Sequence, residues 1–181
     1  YNQAKKFKVK NIIINKKNYF EKYFLFFKKK KITIFNSVEE FSKIYQKKID
    51  YTMSSIIGLD GLEPTLQIIK KTRNIAIANK ESIICGWHLI KKELKKHNTS
   101  FFPVDSEHFS LMELIKKNDK PKIKKIYITA SGGPFLKYKL KDIIKSNPLK
   151  AIQHPNWKMG KKISVDSATL MNKVFELIEA K

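Results

Sequence analysis

The stretch Asn74-Ile-Ala-Ile-Ala-Asn-Lys-Glu-Ser82 decides the predicted fold, because a short apolar run changes there into the start of a helix. Residues 74–78 form a candidate buried strand, and Lys80 or Glu81 begins a helix that we expect to reach about His97. The same change from strand to helix recurs on both sides of this stretch. Strands that alternate with helices are typical of an α/β fold with a mainly parallel sheet.

The other predicted elements continue this alternation. Predicted strands cover residues 11–14, 32–35, 51–57, 100–104 and 126–129. Predicted helices cover residues 38–45, 61–71, 107–117, 140–145 and 167–179, with a charged turn at 118–122 and a loop at 146–163. The Lys/Phe-rich segment 16–31 is expected to be a loop or a short helix. In parallel sheets, ligands bind at the carboxyl ends of the strands, where Gly58, Asn79, Asp105 and Ser131 are expected to lie.

The composition limits the class of protein. A length of 181 residues suits one domain or parts of two. The formal charge of +22 alone would favour a polyanionic partner, but Arg73 is the only arginine among 38 basic residues. Specific DNA readers depend on arginine for bidentate contacts to guanine. We therefore attribute the charge mainly to a lysine-rich composition, and a basic nucleic-acid-binding module remains the alternative.

Cysteine use and hydropathy narrow the class further. Cys85 is the only cysteine, so there is no disulfide framework, and its apolar neighbours predict a buried thiol in a reducing compartment. No apolar run approaches the roughly 20 residues that cross a bilayer, so no membrane association is expected.

Three carboxylates are candidates for a metal site. Asp105 and Glu107 follow the strand at 100–104, and Glu176 lies on the final predicted helix. Neighbouring carboxylates repel one another unless a proton or a cation intervenes, so carboxylates from two segments could hold a divalent cation. The alternatives are an acidic first helical turn and an ordinary Lys173–Glu176 surface pair.

A second set of residues is suited to an anion. Ser131 and two glycines follow a predicted strand, and Ser167 is predicted to cap the final helix, where a phosphate would be physically reasonable. A simple turn and a simple cap are the alternatives. Trp157 and Met159 lie in a polar loop, so they either pack back on the core or form a lid over a ligand.

Five motifs, in this order, resemble the 1-deoxy-D-xylulose 5-phosphate reductoisomerase family. The matching segments are 57–66, 78–82, 103–108, 130–135 and 154–180. The resemblance implies NADPH- and divalent-metal-dependent rearrangement and reduction of 1-deoxy-D-xylulose 5-phosphate to 2-C-methyl-D-erythritol 4-phosphate, in non-mevalonate isoprenoid biosynthesis. The implied metal is Mn²⁺ or Mg²⁺, with Co²⁺ as a further candidate.

The resemblance also implies an architecture. Residues 1–100 would be the later part of an incomplete Rossmann-like dinucleotide-binding domain, and residues 101–181 the start of an α/β catalytic domain. The chain would be a central fragment with little turnover by itself. The whole enzyme would be a homodimer, located in a bacterial cytoplasm or a plastid-type organelle and not secreted. Leu59, Asp60 and Phe109 depart from the family pattern, so a catalytically impaired homologue is the further alternative.

Roles carry over residue by residue. The implied metal ligands are Asp105, Glu107 and Glu176. The implied catalytic residues are Lys80, Ser106, Glu107, His154 and Trp157. All of these except Trp157 would also contact the substrate, and Glu176 would contact it as well. The implied phosphate site is Ser131, Ser167, Asn172 and Lys173. The implied cofactor contacts are Asn79, Glu81, Met159 and Gly160, and Trp157 and Met159 would form a closing flap.

Overall fold

A computed structural model describes residues 1–116 and 123–180 of the chain. The described chain divides into two compact units, Tyr1–Phe102 and Pro103–Lys181, close to the domain boundary expected after residue 100. The charged turn predicted at 118–122 lies outside the described residues, as does the last residue of the helix predicted at 107–117.

The first unit alternates strands and helices. In chain order its elements are α1 (Asn2–Lys6), β1 (Asn11–Ile13), α2 (Lys17–Lys29), β2 (Thr33–Phe35), α3 (Phe41–Ile44), β3 (Ile49–Ser54), α4 (Leu62–Ile69), β4 (Thr72–Ile77), α5 (Lys80–His97) and β5 (Ser100–Pro103), the last of which ends at the unit boundary. Short 3₁₀ turns precede α3 and α4, at Val38–Glu40 and Leu59–Gly61.

The strands pair in parallel, which confirms the predicted α/β class. β1 pairs with β2, so that Ile12 lies beside Ile34. β3 pairs with β4 over Ile49↔Thr72 to Ser54↔Ile77, and β5 lies on the other side of β4. Parallel neighbours need a crossover connection, and α2 and α4 supply it between the paired strands. The segment 16–31 is therefore mostly a 13-residue helix.

Apolar side chains of β4, α4 and α5 form the main core of this unit. Ile75 and Ile69 are fully buried, and Ile90 packs with them from α5. Strand β4 is buried on both faces, as expected for a central parallel strand. A smaller cluster of Ala4, Phe27, Ile32 and Ile34 covers the first sheet.

Cys85 differs from its prediction. It lies on α5 with its side chain exposed, although it is followed by the buried Gly86. Its apolar neighbour Ile83 is on the buried face of the helix, and two positions along a helix turn a side chain by more than half a revolution. The local composition was therefore a poor guide to burial.

The second unit is helical over the residues that the structure describes. Its elements are α6 (Ser106–Lys116), a 3₁₀ turn (Gly133–Phe135), α7 (Leu140–Ile144), α8 (Pro148–Ala151), α9 (Lys161–Ala168) and α10 (Met171–Ala180). The strand predicted at 126–129 is wrong, since residues 123–130 are exposed and have no regular secondary structure. An alternating apolar pattern cannot form a strand without a neighbouring strand to accept its hydrogen bonds.

The predicted final helix is in fact two helices. α9 begins at Lys161, inside the predicted loop, and α10 begins at Met171. Leu170 between them has a φ of +61°, a left-handed conformation that interrupts the helical path. Ser167 therefore lies in the last turn of α9 and is not the N-cap that the sequence predicted. No helix within residues 1–116 or 123–180 combines the length and apolar character needed to cross a membrane.

Asn79 fastens the end of β4 to its surroundings. It is 4% exposed and caps α5, where its Oδ1 accepts a hydrogen bond from the Ser82 amide. Its Nδ2 donates to the carbonyl of Ile56 and, at 2.6 Å, to that of Gly58. One side chain thus joins the segment after β3 to the start of α5.

We expect Asn79→Ala to lower the free energy of unfolding by about 2–3 kcal/mol, since it removes a helix cap and two further hydrogen bonds, to the carbonyls of Ile56 and Gly58. Urea denaturation measures the loss. Asn147→Ala is the matched control, because Asn147 caps the exposed helix α8 through the Leu149 amide alone. Equal losses in the two variants would contradict this role for Asn79.

Candidate active site

Three carboxylates of the second unit converge where α6 meets α10. Asp105 directly precedes α6, Glu107 lies in its first turn, and Glu176 lies on α10. Each offers one oxygen to a group of atoms that all lie within 4.8 Å of one another. Glu176 is only 2% exposed. The structure therefore brings together the three residues for which the sequence predicts a metal site.

Lys173 supplies positive charge to this cluster. Its Nζ lies 2.5 Å from Glu107 Oε1 and 2.8 Å from Glu176 Oε2, so the ammonium group bridges α6 and α10. The sequence placed Lys173 with the phosphate ligands and did not predict this bridge. The spacing of three residues between Lys173 and Glu176 was the available signal, whereas the contact with Glu107 depends on the packing of the two helices.

The bridge changes the acidity of its members. Partial burial would raise the pKa of Glu107, but the hydrogen bonds from Lys173 and Ser106 outweigh it and lower that pKa from 4.5 to about 2. Burial would likewise lower the pKa of Lys173, yet its bonds to Glu107 and Glu176 raise it. Glu107 is thus ionised at neutral pH. The stability that it contributes is present above pH 4.5 and is lost as the pH falls towards 2.

Neighbouring polar groups orient the carboxylates. Ser106 Oγ donates to Glu107 Oε2 at 2.7 Å, and Asn172 Nδ2 donates to Glu176 Oε1 at 2.5 Å. The Glu107 amide donates to Asp105 Oδ1 at 3.2 Å. These bonds hold the carboxylates close together in fixed orientations.

The cluster fits a hard divalent cation. Its donors are carboxylate oxygens from three residues, the ligand type that Mg²⁺ and Mn²⁺ prefer. No cysteine takes part, since the only cysteine lies on α5 in the other unit. Bringing three carboxylates this close is unfavourable unless positive charge compensates them, and Lys173 provides only part of that charge.

His108 and Glu179 extend the cluster and were not among the predicted site residues. His108 Nε2 lies 2.9 Å from the carbonyl oxygen of Glu176, and its Nδ1 lies 3.6 Å from Asp105 Oδ1 and 3.4 Å from Glu179 Oε2. Glu179 follows Glu176 by three positions, which places the two on one face of α10. That spacing was the signal for Glu179, while the signal for His108 was its position directly after Glu107 in the sequence.

A second group of predicted residues assembles around the turn at 131–133. Ser131 Oγ lies 3.1 Å from His154 Nε2. Gly133 has a φ of +58°, and a Cβ there would lie 3.1 Å from Ala168 Cα and 3.2 Å from the Ser167 carbonyl oxygen. The glycine therefore lets the turn approach the end of α9, which brings the segments of Ser131 and Ser167 together.

The loop between α8 and α9 carries the predicted flap. Trp157 is 63% exposed, so it does not pack on the core as the alternative interpretation required. Met159 is half-buried, and Gly160 is the N-cap residue of α9, with open space where a Cβ would lie. An exposed Trp next to a polar turn is compatible with a lid, but the role of the flap stays a prediction.

The predicted cofactor residues of the first unit lie at the junction of β4 and α5. Lys80 and Glu81 form the first turn of α5 and are half-buried. The Asn79 side chain is already engaged by Ile56, Gly58 and Ser82, so a cofactor contact from Asn79 would use its backbone. A mostly apolar cleft of about 330 Å³ in this unit is lined by neither Asn79 nor Glu81.

Family models match most of the chain. The model described as 1-deoxy-D-xylulose 5-phosphate reductoisomerase matches residues 1–86, and the model described as the C-terminal domain of the same enzyme matches residues 101–181.

Named relatives agree with these matches. The 1-deoxy-D-xylulose 5-phosphate reductoisomerase of Pelagibacter ubique is 56% identical over 99% of this chain and 47% of its own length. The enzyme of the same name from Wolbachia pipientis subsp. Culex pipiens is 48% identical over 73% of this chain and 34% of its own length. The chain thus spans about half the length, or less, of these curated relatives.

Solved structures share the fold. The 1-deoxy-D-xylulose 5-phosphate reductoisomerase of Zymomonas mobilis in complex with NADPH is 34% identical, with a TM-score of 0.81 over 99% of this chain and 46% of that one. A DOX-P reductoisomerase in complex with NADPH, fosmidomycin and magnesium is 31% identical, with a TM-score of 0.78 over 99% of this chain and 47% of that one.

We expect Lys173→Met to raise the pKa of Glu107 from about 2 towards its ordinary value, because the donor that holds it down is lost. Carboxyl ¹³C NMR of metal-free protein across a pH titration measures this shift. Lys162→Met is the control, since Lys162 pairs instead with Asp166 at 2.7 Å. A Glu107 that still titrates near 2 without Lys173 would refute the bridge.

We expect Gly133→Ala to cost about 1–3 kcal/mol of unfolding free energy, from the left-handed φ and the contact with Ala168. Gly160→Ala is the matched control, because Gly160 has a φ of −60° and open space around it. Thermal or urea unfolding compares the two variants. Equal effects of the two substitutions would contradict the inference that close packing of the turn against α9 requires glycine at position 133.

Proposed function

The chain belongs to the 1-deoxy-D-xylulose 5-phosphate reductoisomerase family, and on this premise we propose that it carries the metal and phosphate sites of such an enzyme. The proposed reaction is the rearrangement of 1-deoxy-D-xylulose 5-phosphate and its reduction by NADPH to 2-C-methyl-D-erythritol 4-phosphate. The observation that carries the proposal is the cluster of Asp105, Glu107 and Glu176, whose oxygens lie within 4.8 Å of one another.

Asp105, Glu107 and Glu176 would hold a divalent cation. Bound there, Mg²⁺ or Mn²⁺ would polarise the ketone and neighbouring hydroxyl oxygens of the substrate, and NADPH would supply the hydride. The low pKa of Glu107 keeps it ionised and ready to bind a cation at neutral pH. Ser106 donates to Glu107 at 2.7 Å, so it can orient that carboxylate, and it would also contact oxygens of the substrate.

The phosphate would bind between the turn at Ser131 and the start of α10. Ser131 and Ser167 lie on segments that pack together through Gly133. Asn172 and Lys173 lie in the first turn of the ten-residue helix α10, where backbone amides and the helix dipole favour an anion. Lys173 can contribute charge to both groups, because it lies in the first turn of α10 and also pairs with Glu107 of α6 and Glu176 of α10.

Binding energy from this remote phosphate can be used to close the flap. Trp157 and Met159 lie on the loop that begins at His154, and His154 is bonded to Ser131. An exposed Trp has apolar surface to bury when it covers a ligand. Closure would exclude water from the reacting carbonyl group.

The proposed cofactor and substrate class have support from the solved relatives. Both are complexes with NADPH, and one of them also contains fosmidomycin and magnesium. Lys80 and Glu81 lie at the carboxyl end of β4, the edge at which parallel sheets bind ligands, so they are suited to contact the cofactor or the substrate. We further propose that the enzyme is a homodimer of a bacterial cytoplasm or a plastid-type organelle.

The proposal is tested with the full gene product that carries these residues. NADPH oxidation with 1-deoxy-D-xylulose 5-phosphate and Mn²⁺ should fall by at least about 100-fold in Glu107→Gln, which exceeds the effect of losing an outer-shell partner of a metal. Mn²⁺ affinity, measured by electron paramagnetic resonance, should fall in the same variant.

Glu113→Gln is the matched control on α6, because Glu113 pairs with the exposed Lys116 at 3.9 Å. It should keep both the activity and the affinity for Mn²⁺. A folded, Mn²⁺-loaded protein that oxidises no NADPH would overturn the proposed reaction and favour an impaired homologue.

A further inference from the structure

The ring of His154 makes hydrogen bonds at both of its nitrogens. Nδ1 faces the backbone amides of Asn156 at 3.2 Å and Trp157 at 3.1 Å. Nε2 faces Ser131 Oγ at 3.1 Å. One side chain therefore connects the start of the flap loop to the turn that carries the proposed phosphate ligand.

These contacts determine the tautomer of the ring. A backbone N–H can only donate, so Nδ1 has to be the acceptor and carries no proton. A neutral imidazole then has its proton on Nε2. The Nε2–H group donates to Ser131 Oγ, and the hydroxyl hydrogen of Ser131 remains available for donation to another acceptor.

The rest of the loop makes this anchor important. Asn156, Trp157 and Lys158 are all exposed, so apolar packing contributes little to holding this part of the chain. On the other side of the turn, Gly133 packs against Ala168 and fixes where Ser131 can lie. The loop is thus held by the histidine, and the serine is held between the histidine and α9.

We propose that His154 is a positioning residue that couples the flap to the phosphate site. Its Nδ1 anchors the loop through the amides of Asn156 and Trp157, and its Nε2–H turns the hydroxyl of Ser131 into a hydrogen-bond donor for a bound anion. The anion part of this inference rests on the proposed function. The anchoring of the loop rests on hydrogen bonds within the chain alone.

Two variants of the full gene product separate the two functions of the ring. In His154→Asn the amide oxygen reaches the position of Nδ1, so the anchor stays while the donor to Ser131 is lost. In His154→Gln the longer amide reaches the position of Nε2, so a donor to Ser131 stays while the anchor is lost. Each of the two variants therefore removes one of the two interactions, either the anchor of the loop or the donor to Ser131, and keeps the other.

Hydrogen exchange of the peptide that contains residues 155–160 reports the anchor. His154→Gln should increase its exchange rate about fivefold, as expected for the loss of a hydrogen bond, whereas His154→Asn should not. Unchanged protection of α10 in the same digests verifies that the unit that contains His154 is folded in each variant. Equal exchange of the loop in both variants would overturn the anchoring role.

Two further measurements address the ring and the anion. Nitrogen NMR of the imidazole at neutral pH should show a proton on Nε2 and none on Nδ1, and a protonated Nδ1 would refute the assignment. Affinity for inorganic phosphate, used as the probe, should fall more in His154→Asn than in His154→Gln. Ser131→Ala should lower this affinity and leave the exchange of the loop unchanged.

The failure of one proposal can be distinguished from the failure of the other. If exchange and NMR behave as expected while no variant differs in phosphate affinity, the loop anchor stands and the assignment of the anion site fails. If phosphate affinity falls equally in the asparagine and glutamine variants, the separate functions of the two ring nitrogens are refuted.

Discussion

Ionised carboxylates that lie within a few ångströms of one another require compensating positive charge, and this constraint governs the second unit. Asp105, Glu107 and Glu176 come from two segments, the start of α6 and the middle of α10, that lie far apart in the sequence. Lys173 meets part of the requirement because it bridges the two helices that carry them. The junction of α6 and α10 is therefore both a structural contact and a place prepared for a cation, and one group of residues satisfies both needs.

The sequence predicted the parts of the fold that depend on local patterns. A change in hydrophobic period predicted strand β4 and helix α5, and the alternation of strands with helices along the chain predicted a parallel sheet. Features that depend on contacts with other segments of the chain were harder to predict. Residues 126–129 have a strand-like composition but no strand beside them among the described residues. The interruption at Leu170 could not be predicted, because leucine carries no signal for a left-handed conformation.

The same distinction holds for the candidate site. Motifs identified the carboxylates and the serine turn, since their residue types suit cations and anions wherever they occur. The connections between them needed coordinates: Lys173 reaches Glu107 across 66 positions of sequence, and His108 reaches the backbone of Glu176 across 68. For Asn79 the sequence predicts a cofactor contact, but in the structure its side chain is hydrogen-bonded to the backbone of Gly58 and Ser82.

The left-handed Leu170 has a consequence for how the chain tolerates sequence change. A residue with a Cβ is disfavoured there by roughly 1–2 kcal/mol, yet glycine would enlarge the conformational freedom of the unfolded chain. The two effects oppose each other, so leucine and glycine at this joint differ little in their effect on stability. The side chain of Leu170 is half-exposed, so the helices on either side can keep their places without a leucine between them.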